Sequence, residues 1–126
     1  MNATKASIEQ QFEVQTELGV QGNVARVRFL LNDEYVGSIT AVKSHDDTFA
    51  VRYSDCTIRG YGKLLYYYLL DIIYPNWLSP DGCVTEYAAR VWNGVYRTCE
   101  KVPSSEIHLL DTSDTYLGYK ARFKFK

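Results

Sequence analysis

A chain of 126 residues fits one domain, spanning 1–126, and leaves no room for a second core. It is 46% hydrophobic and 23% charged, an ordinary globular composition, and at this size it needs neither a metal nor a disulfide to fold. A formal net charge of −1 argues against any global attraction to nucleic acid or to an anionic membrane.

Residues 1–11 are polar, lack the apolar stretch of a signal peptide, and are expected to be a flexible lead-in. Phe12 to Leu18 then alternates apolar and polar residues, which is strand periodicity. Turn residues over Gly19 to Asn23 interrupt it. A second strand follows over Val24 to Leu31, with Ala25, Val27, Phe29 and Leu31 on one face and Arg26 and Arg28 on the other. Asn32, Asp33 and Glu34 make a tight connection to a third strand, Tyr35 to Val42, rich in β-branched residues. Lys43 to Asp47 is a polar turn before a fourth strand, Thr48 to Tyr53. Connections this short imply an antiparallel meander.

After Gly62 the period changes. Leu65, Leu69, Ile72 and Ile73 recur at helical spacing, and Tyr74-Pro75 ends the helix, because a residue before proline is driven out of helical dihedrals. Trp77 and Leu78 read as a short buried strand closed by the turn Ser79-Pro80-Asp81-Gly82. Thr85 is the expected N-cap of a second helix over Glu86 to Arg97, with Ala88, Val91, Trp92 and Val95 on its apolar face. A loop around Pro103, a strand over Ile107 to Leu110 and a turn over Asp111 to Asp114 come next. The last strand alternates Tyr119, Ala121, Phe123 and Phe125 against Lys120, Arg122, Lys124 and Lys126; such a stripe is most simply a solvated face that discourages edge-to-edge aggregation. The fold class is therefore α+β, a meander followed by helix, short strand, helix and two strands.

Eleven Tyr, five Phe and two Trp are many for a chain this size. Tyr66-Tyr67-Tyr68 is the notable run, since successive helical residues diverge by about 100° and cannot all face one sheet. At least one of them is exposed, in an oligomer or peptide contact, or packs elsewhere, for instance under Trp77 or Trp92. Cys56, Cys83 and Cys99 have no CxxC spacing, so they form neither a disulfide framework nor a zinc site and point to a reducing, cytosolic setting. His45-Asp46-Asp47 is too contiguous to converge on one ion, and His108 has no partner visible in the sequence. Leu64 to Tyr74, the longest apolar run, is too short to span a bilayer.

The segment with chemical potential is Thr57-Ile58-Arg59-Gly60-Tyr61-Gly62-Lys63, where the fourth strand gives way to the first long helix. Two glycines one residue apart permit a sharp bend and close approach of a ligand. The helix that follows presents unsatisfied amides and a positive dipole end, an arrangement suited to a diphosphate, with Arg59 and Lys63 as cations beside it. A Walker loop would need Gly-Lys-Ser/Thr after a longer spacer, and a dinucleotide fingerprint a third glycine in a βαβ unit. Neither fits.

Arg59-Gly60-Tyr61-Gly62-Lys63-Leu64-Leu65 resembles the acetyl-coenzyme A motif of the GNAT superfamily, the Gcn5-related N-acetyltransferases, and the element order around it is similar. The resemblance implies a GNAT-like fold that binds acetyl-CoA and transfers its acetyl group to a primary amine of an unknown acceptor, small molecule or protein. It implies that the amides of Arg59, Gly60, Tyr61, Gly62 and Lys63 face the pyrophosphate, with Thr57 at the position usually held by Gln or Arg. The strand before the bend, with Val51, Tyr53 and Ser54, would pair with the pantetheine arm. The family's Asn-x-x-Ala-x-x-x-Tyr segment corresponds to Thr85 through Trp92, so tryptophan stands where the family's acid does, and Tyr96, one turn on, is the candidate acid. Asp55 is the candidate general base, against a turn-capping role.

The chain lacks the helical pair that commonly shapes the acceptor site in that family, so the acceptor cleft is expected to be open or completed by a partner. Its compactness resembles small phage-encoded GNAT-like proteins, which would place it in a host cytoplasm. The rival reading is a catalytically degenerate GNAT-like module, a phage accessory or host-takeover factor that acts by binding protein. A basic-stripe contact to nucleic acid ranks below both.

Overall fold

The structure, a computed structural model, describes residues 4–80, 83–110 and 115–125. Among the described residues it is a mixed α/β arrangement with one sheet and three α-helices. The meander runs β1 (Glu13–Leu18), β2 (Val24–Leu31), β3 (Glu34–His45) and β4 (Thr48–Cys56), each antiparallel to the last. Helix α2 (Gly62–Ile73) leads to β5 (Trp77–Ser79), and a two-residue strand β6 (Cys83–Val84) precedes α3 (Glu86–Thr98). The chain closes with β7 (Glu100–Leu110) and β8 (Thr115–Arg122). The sheet order is β1-β2-β3-β4-β5-β8-β7-β6, with β4–β5 and β6–β7 the parallel pairs.

The strands run longer than residue patterning indicated. β3 continues to His45 and β4 to Cys56, which shrinks the expected Lys43–Asp47 turn to its last two residues and puts Asp55 inside a strand rather than in a turn. β7 absorbs the expected loop around Pro103, with the register shifting between Pro103 and Ile107. The turn at Ser79–Gly82 lies partly, and that at Asp111–Asp114 wholly, outside the described residues, as does the side chain of His108.

Residues 4–11 of the N-terminal segment are not a loose lead-in. Thr4 and Ser7 form a reciprocal capping box that starts helix α1 (Lys5–Glu9), and Ile8 is buried. Phe12 stacks on Phe29 at 5.3 Å and meets the edge of Tyr61 at 5.2 Å. Two apolar side chains thus anchor a stretch whose polar composition conceals them.

Helix α2 packs on the inner face of β1 to β5, and α3 lies beside it against β7 and β8. All three tyrosines of the run are buried, each against a different neighbour. Tyr66 meets Trp92 of α3 edge-on at 5.2 Å, Tyr67 packs on Phe123 at 5.0 Å, and Tyr68 packs on Phe29 and Phe125. The expectation that they cannot share one sheet holds, but none is left exposed, because α2 is surrounded by sheet, helix and C-terminal tail. That tail is not strand: residues 123–125 leave β8 and fold over α2. The largely buried Asp71 carboxylate clasps both ends, accepting a hydrogen bond from the Phe125 amide at 2.9 Å and pairing with Lys5 at 2.8 Å.

Outside, Arg122 makes two hydrogen bonds to Glu100 (2.6 and 2.9 Å) and lies over Trp77 at 4.3 Å. Lys120 also lies over Trp77, and Lys124 over Tyr74. Lys120, Arg122 and Lys124 of the cationic stripe are therefore engaged with the chain's own rings and carboxylates, and Lys126 lies outside the described residues. No helix among the described residues is long and apolar enough to cross a membrane.

Candidate functional site

The bend between β4 and α2 is built from Thr57 to Gly62. Thr57 is pinned to β3, its amide and hydroxyl both donating to the Val36 carbonyl. Gly60 has φ +88°, a left-handed conformation that side chains rarely adopt, and a Cβ there would meet nothing within 4 Å. The glycine is thus required by the backbone and borders open space. Tyr61 occupies the N-cap of α2 without a side-chain cap. Its amide donates to Ile58, but among the described residues the amides of Arg59, Gly60, Gly62 and Lys63 have no protein acceptor. These donors sit at the positive end of α2, which suits an anion.

A groove leads from the bend between β4, α2 and α3, lined by Ser54, Cys56, Gly62, Tyr66, Tyr87 and Val91. Beside it β4 lacks a strand neighbour. Pairing with β5 covers only Thr48–Ala50, so from Val51 to Cys56 the strand is joined to β3 alone among the described residues. Arg52 is an extra residue in the β3–β4 register, and the bulge helps turn β4 away from β5. The groove is nearly closed, with about 20 Å³ of free space, scarcely more than one water requires. The phenol of Tyr87, itself largely exposed, narrows it: its oxygen stands 3.3 Å from where a Cβ on Gly62 would be.

The sequence-derived site residues separate into several places. Gly60 and Arg59 are exposed at the bend, while Gly62 and Ser54 line the groove. Tyr61 turns its ring to Phe12 and donates its hydroxyl to Gln11. The Lys63 side chain is turned away from the bend and lies across Gly94 of α3, 3.1 Å from where a Cβ would stand there. Val51 belongs to the core. Tyr53 and Thr57 face the other side of the sheet, and Asp55 lines both the groove and a concavity on that outer side.

Tyr96 lies nine residues beyond Tyr87 along α3, a rise of about 13 Å. It is buried, donates to the Tyr119 carbonyl at 2.8 Å and accepts from the Tyr119 amide at 3.2 Å, so it fastens β8 to α3 rather than facing the groove. Trp92 is likewise buried, against Tyr66.

Two hydroxyls at the groove escaped the sequence reading. Tyr66 shares a 3.2 Å hydrogen bond with Ser54, and burial raises its pKa. Tyr87 stands at the mouth. The signal for Tyr87 was its place in the first turn of a helix following the bend, but spacing alone could not show α3 meeting α2 there. Cys56 borders the same groove and donates to the Ile58 carbonyl at 3.3 Å; burial raises its pKa, so it is held as a thiol. Among the described residues no cluster of three or more metal-ligating side chains occurs.

No protein-family model matches this chain, and neither a curated protein nor a solved structure is similar to it.

Proposed function

We propose that the chain binds acetyl-CoA at the β4–α2 bend and transfers the acetyl group to a primary amine, in the manner of the GNAT superfamily that its sequence resembles. The observation that carries this reading is the conjunction at one place of a left-handed Gly60 beside open space, unengaged amides at an uncapped helix start, and a strand with one free edge. The amides would hold the pyrophosphate, and the free edge of β4 would pair with the pantetheine arm. The order of meander, bend, helix, short strand, helix and two strands agrees with the same reading.

In the transfer itself the amine nitrogen attacks the thioester carbonyl and the carbon–sulfur bond breaks. The amine gives up its proton to Asp55 directly or through water, and the departing thiolate takes a proton from a hydroxyl. Tyr87 is the better-placed acid, since it stands at the groove, where Tyr96 does not. Closure of the groove requires the Tyr87 phenol to swing aside before the donor enters, and its exposure leaves it free to do so.

Calorimetry with acetyl-CoA is the direct test. Saturable heat at millimolar ligand or below, lost in Gly60→Trp, supports the reading; no heat removes it, and equal binding by the variant moves the site elsewhere. A second reading, a GNAT-like module that acts by binding protein without catalysis, is favoured by the engaged Tyr96 hydroxyl and the buried Trp92. Binding of acetyl-CoA without turnover on any amine would select it.

A further inference from the structure

On the sheet face opposite the helices, strand register lines up side chains in rows. One row runs Glu17, Arg26, Thr40, Tyr53 across β1 to β4, and the next runs Gln15, Arg28, Ser38, Asp55. In the first row the arginine is satisfied within the chain: Arg26 pairs with Glu17 at 3.7 Å and donates to Thr40 at 3.2 Å. In the second it is not. Arg28 lies on the Tyr35 ring at 5.5 Å and has no carboxylate partner among the described residues, and neither does Asp55 have a cationic one. Two opposite charges thus flank the small Ser38, two strand spacings or about 10 Å apart at their Cα atoms. They line one concavity of about 400 Å³, with Tyr35 and Tyr53 in its wall and Thr57 at its end. That volume lies within the usual range of small-molecule sites.

We infer that this outer concavity binds a small zwitterion, a free α-amino acid, with its carboxylate on Arg28 and its ammonium on Asp55. Each charge would gain a charge-assisted hydrogen bond that the protein does not supply internally. The ligand's side chain would lie along Tyr53, more than half exposed, which favours an aromatic or aliphatic amino acid. A lone cation or anion would leave one of the two protein charges without its counterpart. The inference rests on the transferase reading only for the fate of the bound amine. Asp55 borders both the concavity and the groove, so the α-ammonium would wait at the strand that separates acceptor from donor.

Titration of the full chain, without any acyl donor, followed by amide NMR tests it. Phenylalanine should shift the signals of Arg28, Ser38 and Asp55 saturably. N-acetylphenylalanine, which lacks the ammonium, and phenethylamine, which lacks the carboxylate, should bind at least about tenfold more weakly. Arg28→Gln and Asp55→Asn should each cost about tenfold or more, while Arg26→Gln, one row away, should leave binding unchanged. Absence of saturable shifts overturns the inference, as does phenethylamine or N-acetylphenylalanine binding as well as phenylalanine. Because no donor is present, failure here leaves the acetyl-CoA reading standing, and failure to bind acetyl-CoA leaves this site standing.

Discussion

The two long helices begin in opposite ways. α3 starts with Thr85, whose hydroxyl accepts the Ala88 amide at 3.1 Å, and places Glu86 in its first turn and Arg97 in its last. α2 starts from a glycine, with no side-chain cap, no acidic residue in its first turn and no basic one in its last. The rest of each helix explains how this is tolerated. α2 buries seven residues, from Leu65 through Leu70 and Ile73, whereas α3 buries four, leaves Ala88, Ala89 and Val91 half-buried, and exposes most of the rest. A helix enclosed on all sides is held by tertiary packing and can leave its first amides uncapped. A helix exposed along one side depends more on its own ends. What α2 leaves unsatisfied is therefore available to a ligand at little cost to the fold.

If packing holds α2, then packing changes should dominate its stability. Leu69 is fully buried, and Leu69→Ala should destabilise the protein by about 2–5 kcal/mol in urea denaturation. The half-buried Val91 of α3 gives the contrast: Val91→Ala should cost only about 1 kcal/mol. Equal losses at the two positions would dissolve the distinction between an enclosed and an exposed helix.

Ionisation tests the same enclosure. Burial pushes the Tyr68 hydroxyl up to about 12, with the Glu9 and Asp71 carboxylates adding to the shift. A pKa raised on folding means that the unfolded chain loses its proton first. The stabilising contribution is therefore complete below the ordinary tyrosine value near 10 and is lost as pH rises through about 12. Alkaline unfolding should steepen across that window, and Tyr68→Phe should flatten it while changing stability little at pH 7. The hydroxyl's bond to the Lys5 carbonyl is a long one at 3.4 Å, and its other partner is the Glu9 carboxylate.

Much of this was legible in the sequence, for identifiable reasons. Alternation placed the meander strands, and the switch from period two to helical spacing after Gly62 placed α2 and the bend before it. Thr85 has the residue type and placement of an N-cap, and it is one. What patterning could not supply was three-dimensional adjacency. Ile8 anchors an otherwise polar segment, and Phe123 and Phe125 continue a strand's alternation after the strand has ended, because α2 offers them Tyr67 and Tyr68 to pack on. The site fared similarly. Period two puts Tyr53 and Thr57 opposite Ser54 and Cys56, with Asp55 bordering both sides, so these neighbours in sequence cannot all line one ligand groove. Tyr96 looked free only because its partner, the Tyr119 backbone, lies 23 residues away.

The two caps themselves supply the smaller effects. Thr85→Ala removes the hydroxyl that satisfies the Ala88 amide and should cost about 1 kcal/mol, read as a lower urea midpoint with an unchanged slope. At the start of α2 the corresponding change should be almost silent in stability. Gly62 is helical and its φ is not left-handed, so alanine suits the backbone and gains a few tenths of a kcal/mol from helix propensity. Against that gain, the new methyl meets the Tyr87 oxygen at 3.3 Å, closer than most such contacts, and the exposed phenol must give way. Gly62→Ala should therefore leave the urea midpoint within error while shifting the Tyr87 ring signals in NMR. A loss of 1 kcal/mol or more would mean that the first turn of α2 already carries structural weight, and that its amides are not spare.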